Sequence, residues 1–156
     1  MPTWIDLPNF SRGILPAIVG AAVLLAGAPA RAATGAETGV LTVTISGAES
    51  EKGKILVALC ASRSEYESDG EGMRMVRLPA RVGPIEHRFE DLPAGTYALR
   101  VFHDANANDE IDIGWMGPEE RYGFSNGARG LMGPPDWDEA RFAFDGKAAG
   151  QAIVLK

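Results

Sequence analysis

The sequence predicts an all-β domain, an antiparallel β-sandwich of about seven short strands carrying one long ordered loop. Three observations point there. Apolar residues alternate at period two in short runs, and glycine-, proline- and aspartate-bearing turns separate those runs. No amphipathic helix of useful length intervenes. With 19 glycines and 10 prolines in 156 residues and only 8% aromatic residues, the chain favours short elements over long helices.

The elements follow in order. Residues 40–46 (VLTVTIS) place Leu41, Val43 and Ile45 on one face and Val40, Thr42 and Thr44 on the other, as a strand does. After a turn bearing Gly47, residues 54–60 (KILVALC) are apolar on both faces, which suits a central strand covered on both sides. Residues 61–72 are polar and serine-rich, a loop or short helix. In 73–82 (MRMVRLPARV) a strand is interrupted by Pro79, which confines it to an edge or a bulge. Residues 85–90 (IEHRFE) alternate again. The turn 91–95 then leads into the strand 96–102, with Pro93 presetting φ and Gly95 allowing a positive φ, so that Tyr97 and Leu99 enter the core. Beyond the long stretch 104–138, two last strands fall at 141–144 and 151–155. The pattern fits a sandwich of immunoglobulin or prealbumin type, in one domain at this length.

The N-terminus differs from the rest. The apolar run 13–28 (GILPAIVGAAVLLAGA) follows Arg12 and precedes small residues ending in Ala-Arg-Ala, so 1–32 reads as a secretory signal peptide and 33–156 as the mature domain. At 16 residues with Pro16 inside, the run is short for a spanning helix. Removal of Arg12, Arg31 and Asp6 leaves 13 basic and 20 acidic residues, net −7. The expectation is a periplasmic or secreted protein that meets an extracytoplasmic ligand or protein, with no membrane association after cleavage and no nucleic-acid partner. The sole cysteine, Cys60, excludes an internal disulfide framework and a multi-cysteine zinc site; ending an apolar strand, it is expected to be a buried, inert thiol.

The segment 104–138 carries the chemistry. Its four aromatic residues, Trp115, Tyr122, Phe124 and Trp137, with six glycines and three prolines, mark it as ordered. Asp104, Asp109, Glu110, Asp112, Glu119 and Glu120 all precede its first basic residue, Arg121, and such a cluster repels itself unless a cation or solvent neutralises it. Asp104, Asn106, Asn108 and Asp112 fall at places 1, 3, 5 and 9 of a calcium loop, with Glu110 at place 7 offering its carbonyl. Hard oxygen donors suit calcium and not zinc or copper. The glycine expected at place 6 is Asp109, which must then adopt a left-handed conformation, and place 12 is Trp115, so the missing carboxylate comes from elsewhere. Ile111, at place 8, is expected to turn inward. The competing reading is a solvated turn held by side-chain bonds to its own backbone.

The run FEDLPAGTYALRV resembles a turn found in prealbumin-like domains such as the regulatory domains of carboxypeptidases. More specifically, HDANANDEID, then GPEERYGFSN and PPDWDEARFAF, make residues 40–155 resemble a family of small exported bacterial proteins of unknown function, with HDxNxNxxxD and GFSN motifs and a prealbumin-like sandwich. The resemblance implies fold and location but no activity. Its pattern Pro118-x-Glu120-x-x-Gly123-Phe124 favours Glu120 over Glu119 as the remaining carboxylate, although the pattern usually has glycine where this chain has Asp109 and Met116.

Other constellations in the chain fit less well. Residues 123–127 match the G-x-S-x-G of a nucleophile elbow, but both histidines, His87 and His103, precede Ser125 and no helix follows, so a serine hydrolase is not expected. A glycosidase built on Asp112 and Glu120 lacks any fixed carboxylate separation. His103, following Tyr97, Leu99 and Val101 on one strand face, is expected at the core rim with a hydrogen bond. The four loop aromatics form either a ligand platform, if exposed and coplanar, or a small satellite core, if buried. The leading expectation is a non-enzymatic exported sandwich with structural calcium held by Asp104, Asn106, Asn108, Glu110, Asp112 and Glu120. The alternative is a carbohydrate- or peptide-binding adhesion module using the aromatic 115–137 loop.

Overall fold

The structure is a computed structural model and describes residues 37–68, 74–115, 117–130 and 133–156. The expected signal segment, 1–32, lies outside them. The described chain is mostly strand. In order it forms β1 (Thr38–Ser46), β2 (Lys54–Cys60), α1 (Arg63–Glu67), β3 (Arg74–Pro79), β4 (Ile85–Pro93) and β5 (Gly95–Asp104). There follow the short hairpin β6 (Ile113–Gly114) and β7 (Gly117–Pro118), then β8 (Tyr122–Phe124), α2 (Trp137–Ala140), β9 (Phe142–Phe144) and β10 (Ala148–Val154).

Two sheets face each other. One has the order β10-β1-β4, the other β3-β2-β5-β8, with β9 also pairing with the start of β5. The alternation in β1 sends Leu41, Val43 and Ile45 inward, where they meet Ile55, Val57 and Leu59 of β2 and Tyr97, Leu99 and Val101 of β5. Each such fully buried aliphatic side chain stabilises the fold by about 1.5–3 kcal/mol over exposure. The break at Pro79 ends β3, which lies at the sheet edge and needs no ladder partner on its far side. One pairing departs from the antiparallel rule: β10 runs parallel to β1. The chain crosses between sheets from β9 to β10, so no hairpin constrains the direction in which it returns.

The 91–95 turn differs from its expected form. The positive φ falls on Asp91 (52°), and Gly95 is not left-handed. Space is tight there, because a Cβ would lie 3.2 Å from the Tyr97 ring, whose hydroxyl donates to the Pro93 carbonyl at 2.9 Å.

At the Cys60 end of β2 a second, smaller cluster covers the outer face of its sheet, while Leu56 and Ala58 line a groove further along that face. Cys60 and Ala98 are covered there by Tyr66 of α1, Phe124, and Trp137 and Ala140 of α2. Helix α1 starts where the Ser62 hydroxyl accepts the Glu65 N–H at 3.2 Å, within the stretch expected to hold a loop or short helix. The far end of the same outer face, over Lys54 and Asp104, carries the acidic loop.

Candidate metal centre

Asp104 ends β5 directly opposite Lys54 and is fully buried. Its Oδ1 accepts the Asn108 N–H at 3.1 Å and its Oδ2 the Asp109 N–H at 2.9 Å. The side-chain oxygens of Asn106 and Asn108 accept the N–H groups of Asn108 and Glu110, both at 3.0 Å. These short-range bonds are what Asp and Asn make in turns, and they wrap the backbone around the Asp104 carboxylate. Wrapping sends Ala107 (φ 63°) and Asp109 (φ 67°) into the left-handed region. Asp109 therefore does what the glycine of a calcium loop would do, whereas the alanine conformation costs roughly 1–2 kcal/mol that the surrounding bonds offset. Beneath, Gly53 (φ 69°) lets the β1–β2 turn approach so closely that a Cβ would stand 1.9 Å from the Asp104 carbonyl oxygen.

The loop is closed from its far side. Asp112 accepts the amide N–H groups of Asn106 at 2.6 Å and Asn108 at 3.2 Å. Glu120 reaches across, one oxygen accepting the Ala105 N–H at 2.9 Å and the other the Asp112 N–H at 3.3 Å. Glu119 instead packs its carboxylate against Gly114 in the β6–β7 hairpin. Asp104, Asn106, Asn108, Asp112 and Glu120 thus share one network. Glu110 joins it through its N–H, while it and Ile111 line a groove on the outer face of the β2–β5 sheet. The inward turn expected of Ile111 does not occur, because the loop lies over that outer face and the inner core is closed by the opposite sheet.

Two cations enter that the local sequence gave no sign of. The Lys54 ammonium stands 3.5 Å from Asp104 Oδ2 and 2.9 Å from Asp109 Oδ1, and Arg77 Nε is 2.6 Å from the same Asp109 oxygen. Their hydrogen bonds, Arg77 first, hold the Asp109 carboxyl below its ordinary range. Part of the acidic repulsion is therefore relieved from within. The donor chemistry fits a hard cation, being carboxylate and amide oxygen throughout. Among the described residues, however, no three Asp, Glu, His or Cys groups converge in metal-holding geometry, and both Asp112 oxygens are engaged by amide N–H groups. An ion bound here requires the Asn106 and Asn108 amides to turn their oxygens inward.

Comparison with known proteins gives one family match. Residues 43–151 match the family described as "uncharacterized protein conserved in bacteria" (DUF2141). The chain belongs to that family. No curated protein and no solved structure matches it. The span shared with DUF2141 runs from within β1 to within β10, so it takes in both sheets and all of the 104–138 segment.

In this DUF2141 chain the GFSN run is a structural tie. Ser125 is fully buried, its hydroxyl accepting the Leu99 N–H at 2.9 Å and donating to the Ala140 carbonyl at 2.6 Å. The Asn126 side-chain amide donates to the carbonyls of Glu139, Ala140 and Arg141. These bonds join β5, β8 and the end of α2. His103 sits at the core rim as expected, its Nε2 2.8 Å from the Lys52 carbonyl oxygen. Of the four loop aromatics, Phe124 and Trp137 are buried in the satellite cluster and Tyr122 packs against it, while Trp115 stands in solvent.

Proposed function

We propose that this DUF2141 chain is an exported, non-enzymatic β-sandwich of prealbumin- or immunoglobulin-like type whose 104–120 loop binds one calcium ion as a structural brace. The ligands are the carboxylates of Asp104, Asp112 and Glu120, the amide oxygens of Asn106 and Asn108, and the Glu110 carbonyl. The observation that carries the reading is the buried Asp104 carboxylate, oriented by two backbone N–H groups, with Glu120 bridging both limbs of the same loop. Three carboxylates with amide and carbonyl oxygens make a donor set of the number and hardness calcium takes. Export is supported by the apolar run 13–28 and the Ala-Arg-Ala that follows it. The site of action is then the periplasm or the exterior. Three of the four loop rings lie in or against the satellite cluster, so the alternative, an aromatic carbohydrate- or peptide-binding surface, reduces to Trp115.

The test is thermal unfolding of the purified protein in millimolar calcium, millimolar magnesium and chelator. For a Kd near ~0.1 mM, 1 mM calcium stabilises by roughly 1.4 kcal/mol, a rise of several degrees. Asp104→Ala is expected to abolish the calcium-selective rise and Glu120→Gln to reduce it. Equal melting in all three conditions, or an unchanged calcium response in Asp104→Ala, overturns the reading and leaves a loop braced by Lys54 and its own bonds.

A further inference from the structure

The free edges of the two sheets are not alike. Strand β3 ends one sheet and carries Arg74, Arg77 and Pro79, while β4 ends the other with Glu86, Arg88, Glu90 and Asp91. Charge and proline of this kind keep an edge from pairing with a foreign strand. The remaining long edge is β10, and its sequence AAGQAIV holds neither a charge nor a proline.

Two bonds fix which way its backbone faces. The Val40 N–H donates to the Lys147 carbonyl at 2.7 Å and the Leu155 N–H to the Ser46 carbonyl at 2.8 Å, so the odd-numbered residues of β10 face β1. The N–H and C=O groups of Ala148, Gly150, Ala152 and Val154 then point away from the sheet. All four residues are exposed, and among the described residues none of them makes a hydrogen bond on that side. One step further the same edge does take a backbone partner: Lys156 donates to the Tyr122 carbonyl at 3.1 Å and accepts the Tyr122 N–H at 3.4 Å. About 20 Å of strand edge before it is left open. Beside the open edge is a pocket of about 300 Å³ lined by Tyr122, Phe124, Ala152 and Val154 together with Arg129 and Lys156, and no acid lines it. Arg129 and Lys156, with Lys147 at the other end of β10, are exposed and form no ion pair among the described residues, in a chain of net charge −6.

We infer that the β10 edge receives an extended, acidic segment of another polypeptide as an added strand, with one apolar side chain entering the pocket and carboxylates lying beside Arg129, Lys147 and Lys156. The main-chain bonds supply affinity, and the pocket and the cations select the partner. A second copy of the chain fits this edge less well. Two β10 strands overlapping fully in antiparallel set Ala148 opposite Val154 and Gly150 opposite Ala152, which brings Lys147 of each copy within one residue of Lys156 of the other. Like charges then meet at both ends of the pair. The inference needs neither an ion in the 104–120 loop nor Trp115.

The test is fluorescence anisotropy of a labelled synthetic peptide, Asp-Thr-Val-Thr-Val-Thr-Val-Asp, titrated with the purified protein, beside a control peptide in which both Asp residues are Lys. Saturable binding of the acidic peptide is expected, at least about tenfold tighter than that of the control. Ala152→Pro deletes an outward N–H that bonds to nothing in the described chain, and an edge strand tolerates proline in such a place. That variant should therefore melt close to the parent while binding falls at least about tenfold. The triple variant Arg129→Glu, Lys147→Glu and Lys156→Glu changes only exposed side chains and should reverse the preference between the two peptides. Absence of saturable binding, equal binding of the two peptides, or acidic-peptide binding that neither variant moves overturns the inference. A dimer in sedimentation velocity that Ala152→Pro dissociates also overturns it, and makes a second copy the occupant of the edge.

Discussion

His87 stands on β4 two residues from Phe89, their rings edge to face at 4.7 Å. Partial burial lowers its pKa below the ordinary 6.5. A depressed histidine favours its neutral form in the folded state, so the unfolded chain takes up the proton first as pH falls. Stability is therefore expected to be flat above pH 6.5 and to decline from there down to the folded pKa. Urea unfolding at pH 7.5, 6.5 and 5.5 checks this, and His87→Gln should flatten the profile; a variant profile matching the parent's contradicts it. Asp109 acts in the same direction but in a more acidic window, because Arg77 and Lys54 lower a carboxyl and not an imidazole. Single residues were unevenly legible in the sequence. The left-handed Asp109 follows from its place in the spacing, but the cations beside it come from β2 and β3 and leave no local trace. Ser125 and Asn126 look like cap formers because Ser and Asn cap turns, yet their partners lie up to 26 residues away.

At the scale of elements, the strands were readable because burial imposes a period on them, and β1, β2, β4 and β5 fall where alternation or apolarity put them. Helix α2 was not. Four residues are too few to show a helical period, and α2 forms because the Trp137 ring meets Tyr66 at 5.7 Å and Arg63 of α1 pairs with Asp138. Trp137→Ala is expected to cost about 3–5 kcal/mol, as truncating a buried ring does. The loss should be local first: hydrogen exchange ought to quicken in α1 and α2 while β1 and β5 keep their protection. Uniform loss across both sheets contradicts a separate satellite cluster. The turn at 91–95 teaches a similar point, since glycine signals either a positive φ or a lack of room, and only the position of the Tyr97 ring distinguishes the two.

For the whole molecule, the apolar double face of β2 announced a sheet covered on both sides, and the acidic spacing of 104–112 announced where the loop would organise itself. The identity of the outer cover was not legible, because apart from Tyr66 it comes from Phe124, Trp137 and Ala140, far along the chain from Cys60. Cys60 lies at the seam between that cover and the sheet, and burial raises its thiol to about 11. Native protein is accordingly expected to react with a thiol reagent far more slowly than unfolded protein, at a rate that follows opening of the structure. Labelling at the rate of a small-molecule thiol contradicts this placement.

The pairing of β1 with β10 has a kinetic side. Until residues 148–154 have been made, β1 lacks one of its two neighbours, and the sheet it centres is left with only β4. Closing the largest loop in the molecule must then precede completion of the sandwich, and such non-local closure is slow. A growing chain of this sequence cannot complete the three-stranded sheet before residues 148–154 are available to pair with β1.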